Sequence, residues 1–167
     1  MKNLEVKAKF ADLDALKKRM IILGADLTET MHQIDTYFEV PKGRLKLREL
    51  TKQKAYLVYY ERGERNKERW SNYYTYDVLN QKQFKNVFVR VLGVKVVVDK
   101  KRILYMYKNA RIHIDRVKGL GNFMEIEIEV KKGDKQAKEL MKELLKYLKI
   151  PRSCFISKSY SDLLLKK

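Results

Sequence analysis

Between Lys100 and Glu129, ionisable and apolar side chains alternate in three short runs. Lys100 and Arg102 begin the pattern. Arg111, His113 and Asp115 continue it around Ile112 and Ile114, and Glu125, Glu127 and Glu129 complete it around Ile126 and Ile128. A period of two places one kind of residue on each face of a strand, so these strands have one ionisable face and one apolar face. The ionisable face changes from basic to acidic along the stretch. Such a mixture suits a polyanion held together with a divalent metal.

The same alternation opens the chain, in Asn3-Leu4-Glu5-Val6-Lys7-Ala8-Lys9-Phe10, and recurs in Arg44-Leu45-Lys46-Leu47-Arg48. Three like charges on one strand face repel unless something neutralises them. An antiparallel sheet with one wet face would also alternate. Five such runs with complementary charges point instead to a shared ionisable interior.

The formal charge is +17 over 167 residues, with 45% apolar and 35% charged side chains. This composition fits one globular domain spanning 1–167. No apolar run reaches the length of a membrane span, and the single cysteine, Cys154, precludes an internal disulfide, so a cytoplasmic location is expected. The excess of cations permits general attraction to nucleic acid, but the tyrosines follow no RNA-recognition signature. A small anionic substrate is therefore the expected partner, and a homodimer is compatible with the sequence.

Three helices are expected. Asp12 caps one through Leu23, stopping at Gly24; Asp77 caps a second through Leu92, stopping at Gly93; Asp134 caps a third that ends before Pro151. Their apolar stripes, such as Val78, Phe84, Val87, Phe88 and Val91 in the second, read as core. The first two helices each follow a strand, end in Leu-Gly and lead into a charged hairpin arm, which implies two β-α-β-β units. Joined into one closed sheet, the units would turn their charges inward and their apolar faces toward outer helices. Glu61 to Trp70 reads as a charged lid or long hairpin loop.

Taken in order, Glu5-Val6-Lys7, Gln33 to Phe38, Gly43 to Glu49, Lys100-Lys101-Arg102, Arg111 to Glu127 and Ser159 to Leu164 resemble the CYTH superfamily of triphosphate tunnel metalloenzymes. That superfamily includes class IV adenylate cyclases and thiamine triphosphatases. The resemblance implies an α+β fold: a closed antiparallel eight-stranded barrel with helices packed outside. It also implies Mg²⁺ or Mn²⁺ held by Glu5, Glu125 and Glu127, with Glu5, Lys7 and Glu127 catalytic. Lys7, Arg44, Lys46, Arg48, Lys100, Arg102 and Arg111 match or neighbour phosphate-binding positions, and Lys9 joins them on strand geometry alone. His113 and Asp115 are candidate orienting residues, with Asp115 paired to His113, to Arg111 or to a lysine. The sequence departs from the pattern twice. Asn3 replaces the first carboxylate of the E-x-E-x-K signature, and Tyr60 stands where many relatives present a tunnel lysine, for which Arg62 is the candidate substitute. Three functions follow: hydrolysis of inorganic or organic triphosphate, cyclisation of ATP to cyclic AMP and pyrophosphate, or binding of nucleotide or polyphosphate without turnover.

Overall fold

Strong alternation makes strands of most of the chain, and the computed structural model describes residues 2–51, 54–62, 69–130 and 134–167. The elements run β1 (Lys2–Lys9), α1 (Leu13–Leu23), β2 (Asp26–Phe38), β3 (Arg44–Leu50), β4 (Lys54–Arg62), β5 (Arg69–Asp77), α2 (Gln81–Leu92), β6 (Val94–Tyr107), β7 (Ala110–Val117), β8 (Gly121–Glu129), α3 (Asp134–Tyr147) and α4 (Tyr160–Leu164).

The sheet closes in the order β1-β5-β4-β3-β2-β6-β7-β8, and every neighbouring pair is antiparallel. Among the described residues, β1 joins β5 through the pairs Lys2↔Asn72 to Glu5↔Arg69. The halves are β1-α1-β2-β3-β4 and β5-α2-β6-β7-β8, so each unit is β-α-β-β-β and together they make the eight strands expected. Strand β4 pairs with β5 and β8 with β1, which joins each half to the other.

The apolar faces point outward. Leu4, Val6, Ile112, Ile114, Ile126 and Ile128 pack with Leu16 and Met20 of α1 and Leu140, Met141 and Leu144 of α3. Phe38 and Leu47 pack with Phe84 and Phe88 of α2. Asp12 caps α1 by accepting from the Ala15 N–H, and Gly24 ends the helix in the left-handed region that glycine tolerates best. The cap of α2 is Asn80, because Asp77 is the last residue of β5. Asp134 lies within the first turn of α3. Val87 and Val91, expected in the core, are 56% and 73% exposed, because the inner stripe of α2 is formed by Phe84, Phe88 and Leu92.

One helix departs from the outer layer. α4 closes one end of the barrel, where Tyr160, Leu163 and Leu164 meet Tyr37, Val58, Tyr60, Val98, Val117 and Phe123. Its Ser159–Asp162 capping box is reinforced by Arg44, which donates to Ser159 Oγ at 2.7 Å and to Asp162 Oδ2 at 3.1 Å. The expected charged lid is bracketed by the antiparallel pair β4 and β5, which includes Glu61 and Arg62; residues 63–68 and the side chains of Arg62 and Trp70 lie outside the described residues.

Leu47 is fully buried under α2. Leu47→Ala should therefore lower unfolding free energy by about 2–5 kcal/mol, measured by chemical denaturation.

Candidate polyanion cavity

Closure turns the ionisable faces into the lining of one cavity of about 350 Å³, a volume within the usual range for small-molecule sites. Lys7, Lys46, Arg48, Lys100, Arg102 and Arg111 line it with Glu5, Asp35, Glu125 and Glu127. Tyr37, Val58, Tyr60 and Tyr160 form its floor beneath α4 and are buried, whereas Met31, Leu50, Tyr56 and Arg111 are partly exposed toward the other end.

Buried charges need partners, and two aspartates organise them. Asp35 sits opposite Arg48 across β2 and β3. It accepts two hydrogen bonds from that guanidinium at 2.9 and 3.0 Å and one from Lys46 Nζ at 2.7 Å. Arg102 sits opposite Asp115 across β6 and β7, with both bonds at 2.6 Å. Arg102 and Asp115 follow Asp35 and Arg48 at one constant sequence separation, so the two halves contain the same cross-strand fork with acid and base exchanged. Arg102 also donates to Glu125 at 2.9 Å, Lys7 lies 3.1 Å from Glu125, and Arg111 lies 3.1 Å from Glu127.

Tyr160 reaches in from α4. Its hydroxyl donates to Asp115 Oδ2 at 2.8 Å, and its ring lies 4.1 Å from Lys7 Nζ and 5.1 Å from Lys100 Nζ, within cation–π range. The plug at the end of the barrel is thus wired into the charge network.

These surroundings shift the titrations. Burial raises the Asp35 pKa, but Arg48 and Lys46 overcome it and hold the carboxyl well below its usual range. For Asp115, Arg102 and Lys100 likewise overcome desolvation. Glu125 is held down by Lys7 and Arg102, and Glu127 by His113, again against burial. Burial, and then repulsion from Arg102, push Lys100 down to about 7. Its nearest carboxylate, Asp115, is 3.7 Å away. Burial also lowers His113.

Several expected roles change. Lys9 is exposed at the end of β1 and does not line the cavity, because its register partner, Phe123, lies at the level of the apolar cluster under α4. Arg44 is drawn to α4 by Ser159 and Asp162 instead of facing the cavity. Asp115 holds Arg102 instead of Arg111 or His113, because Arg102 is its register partner. His113 is buried with neither ring nitrogen hydrogen-bonded among the described residues, and Glu127 is beside it, with Nε2 3.6 Å from Oε2. Asp35 and Tyr160 are central to the network, yet they stood in the sequence only as parts of longer motifs. Parity could have exposed Asp35, since Gln33, Asp35 and Tyr37 alternate with Ile34, Thr36 and Phe38. No local pattern announces Tyr160.

The donor chemistry fits a divalent cation that also binds phosphate. Glu5 and Glu127 oppose each other in register across β1 and β8, a like-charge pairing that a cation would relieve. Among the described residues, no three His, Cys, Asp or Glu side chains are grouped to hold an ion by themselves. The expected set Glu5, Glu125 and Glu127 is thus not gathered around one point: Glu125 is drawn to Lys7 and Arg102, and Glu127 to Arg111.

Residues 1–160 match the family model of the CYTH domain. Among solved structures, the chain is similar to the PH1012 protein of Pyrococcus horikoshii, with 25% identity, a TM-score of 0.88 and coverage of 96% of this chain and 98% of that one. A conserved protein of Pyrococcus furiosus gives 25% identity, a TM-score of 0.86 and coverage of 96% and 99%. HpAC1 from Hippeastrum, described as having a dominant triphosphatase activity, gives 15% identity, a TM-score of 0.70 and coverage of 99% and 95%, a likeness of fold. No curated protein matches.

Asp115→Asn would leave buried Arg102 without its fork and should cost about 3–5 kcal/mol of stability. The aspartate pKa is depressed in the folded state, so its contribution is full above the unfolded pKa, near 3.9, and is lost as pH falls through the folded value. Urea titrations should therefore show the parent losing stability below about pH 4 more steeply than Asp115→Asn.

Proposed function

The chain belongs to the CYTH family, and on that premise we propose that it binds a triphosphate in the barrel cavity and hydrolyses it with a divalent metal, Mg²⁺ or Mn²⁺. The observation that carries this reading is the convergence of six cations on one cavity whose β1–β8 wall bears Glu5, Glu125 and Glu127. Arg48, Arg102 and Arg111 offer planar forks for phosphate oxygens, whereas Lys7, Lys46 and Lys100 offer point charges.

Charge balance supports a metal-loaded substrate. Among the described residues, and counting Asp115 buried beside Arg102, five carboxylates accompany six basic side chains, of which Lys100 is only partly protonated near neutral pH, so the surplus of positive charge is at most one. A triphosphate carries several negative charges, more than this surplus offsets. Glu5 and Glu127, with Glu125 beside them, would hold the cation, which when bound neutralises phosphate oxygens and stabilises charge on the transferring group. The protein's own contribution is position: it holds the phosphate chain against a preorganised wall away from bulk water.

Incubation with Mg²⁺ or Mn²⁺ and triphosphate, ATP or thiamine triphosphate, followed by product separation, tests the reading. Orthophosphate release supports hydrolysis, and cyclic AMP with pyrophosphate would mean cyclisation. Tight binding without products would favour a binding module, a reading supported by the ion pairs that already hold Glu125 and Glu127. Glu127→Gln should abolish metal-dependent turnover while preserving metal-free triphosphate binding, whereas Lys142→Ala on exposed α3 surface should alter neither.

Lys100 provides a second test. With its pKa near 7, the free protein at pH 8 holds this amine largely neutral. A bound polyanion favours the ammonium, so binding at pH 8 should take up about one proton. Calorimetry in buffers of different ionisation enthalpy measures the uptake, which Lys100→Met should remove.

A further inference from the structure

Of the formal charge of +17, the described lining of the cavity accounts for at most one unit, so nearly all of the excess lies outside that lining. On several faces of the barrel, exposed lysines stand beside carboxylates: Lys42 beside Glu61, Lys95 beside Glu39 and Lys108 beside Glu143, each at 3.2 or 3.3 Å. Around α4 they stand beside other cations instead.

Lys101 and Arg116 are directly opposite each other across β6 and β7, and both are exposed. Such a like-charge pair is destabilising unless an anion relieves it. Two residues on, Lys118 begins the turn between β7 and β8, where Lys167 donates to the Gly119 carbonyl and draws the C-terminal segment alongside. Lys158 and Lys166 flank α4, and their amines are close enough to each other to lower the Lys158 pKa. Among the described residues, no carboxylate forms an ion pair with Lys101, Arg116, Lys118, Lys158 or Lys166. The neighbouring acids are already engaged: Asp99 by His32 at 2.6 Å, Asp115 by Arg102 at 2.6 Å and Asp162 by Arg44 at 3.1 Å.

A small anion relieves one or two such cations at a time. A polymer of phosphates relieves several together and releases its own condensed counterions as it binds. The surface presents ammonium and guanidinium heads without an aromatic side chain among them, so it suits phosphates and not base faces. Its exposed apolar neighbour, Leu165, offers little area for insertion into a bilayer. We infer that Lys101, Arg116, Lys118, Lys158 and Lys166 form a docking surface for the phosphate backbone of a nucleic acid, separate from the cavity and indifferent to base sequence.

Fluorescence anisotropy of a short labelled DNA duplex of arbitrary sequence, titrated with the full chain over a range of NaCl concentrations, tests the inference. The parent should bind, with log K falling against log salt at a slope of about −4. Arg116→Gln/Lys118→Gln/Lys158→Gln/Lys166→Gln should flatten the slope by about one for each residue changed and weaken binding by about tenfold or more at low salt. Lys135→Gln/Lys138→Gln/Lys142→Gln/Lys146→Gln removes the same charge from exposed positions on α3 and should keep nearly the parent slope. Equal losses in the two variants would reduce the effect to net charge and overturn the surface, as would failure of the parent to bind. Binding abolished by excess inorganic triphosphate at constant ionic strength would move the duplex to the cavity and overturn it as well. Tighter association with phosphatidylserine vesicles than with the duplex, lost in the first variant, would assign the surface to membranes instead. Arg116→Gln alone, expected to lower the slope by about one, gives the same reading should the four-site variant not fold. None of these outcomes depends on whether the cavity hydrolyses a triphosphate.

Discussion

The cross-strand forks Asp35–Arg48 and Arg102–Asp115 are the interactions on which the interior depends. A barrel lined with charge is an unfavourable way to close a sheet, since each ion taken from water incurs a desolvation penalty of several kcal/mol. The forks answer that penalty with bidentate, charge-assisted hydrogen bonds at 2.6–3.0 Å between residues that register already places opposite each other. Lys46, Lys100, Glu125 and Tyr160 then gather round these two pairs.

The same two pairs fix guanidinium groups that line the cavity. Asp35 and Asp115 neutralise the innermost guanidinium groups and hold their planes in place. Their burial and depressed pKa values keep them anionic at any neutral pH. The groups closer to the cavity's partly exposed end, Glu127 and Arg111, are less enclosed and remain within reach of a ligand. Lys100 lies between these regimes: it is buried beside Arg102 and has no closer carboxylate than Asp115 at 3.7 Å, so its charge depends on what enters. The plug follows the same logic, since Arg44 secures the capping box of α4 and Tyr160 carries that anchorage to Asp115.

The repeat is visible both in topology and in chemistry. The halves share helix, strand and turn positions, yet the acid and base of the fork have changed places between them. Because an ion pair is indifferent to which strand supplies which charge, the packing of each half survives the exchange. The surrounding wall does not remain equivalent: the β8 face bears Glu125 and Glu127, whereas the β4 face bears Val58 and Tyr60. A repeated scaffold thereby acquires walls of different chemistry among the described residues.

Alternation alone made the ionisable faces legible, because side chains on a strand point to opposite sides whatever the tertiary partner. It identified Lys7, Lys46, Arg48, Lys100, Arg102, Glu125 and Glu127 as one inward set, and the capping signals at Asp12 and Gly24 marked the first helix. Parity states which face a residue takes, but not how far along the axis it sits or what stands across from it. Register decided those matters. It placed Lys9 beyond the lining, gave Asp115 to Arg102, left His113 nearest Glu127 and brought Asp35 to the centre. Contacts with distant segments were equally beyond local pattern: Tyr160 lies 45 residues after Asp115, its hydrogen-bond partner, and Arg44 meets Asp162 across 118. The sequence by itself determined a sheet with a charged face. Only closure of that sheet, by confining the charges in a low-dielectric space, determined which of them pair with each other and which remain to meet a ligand.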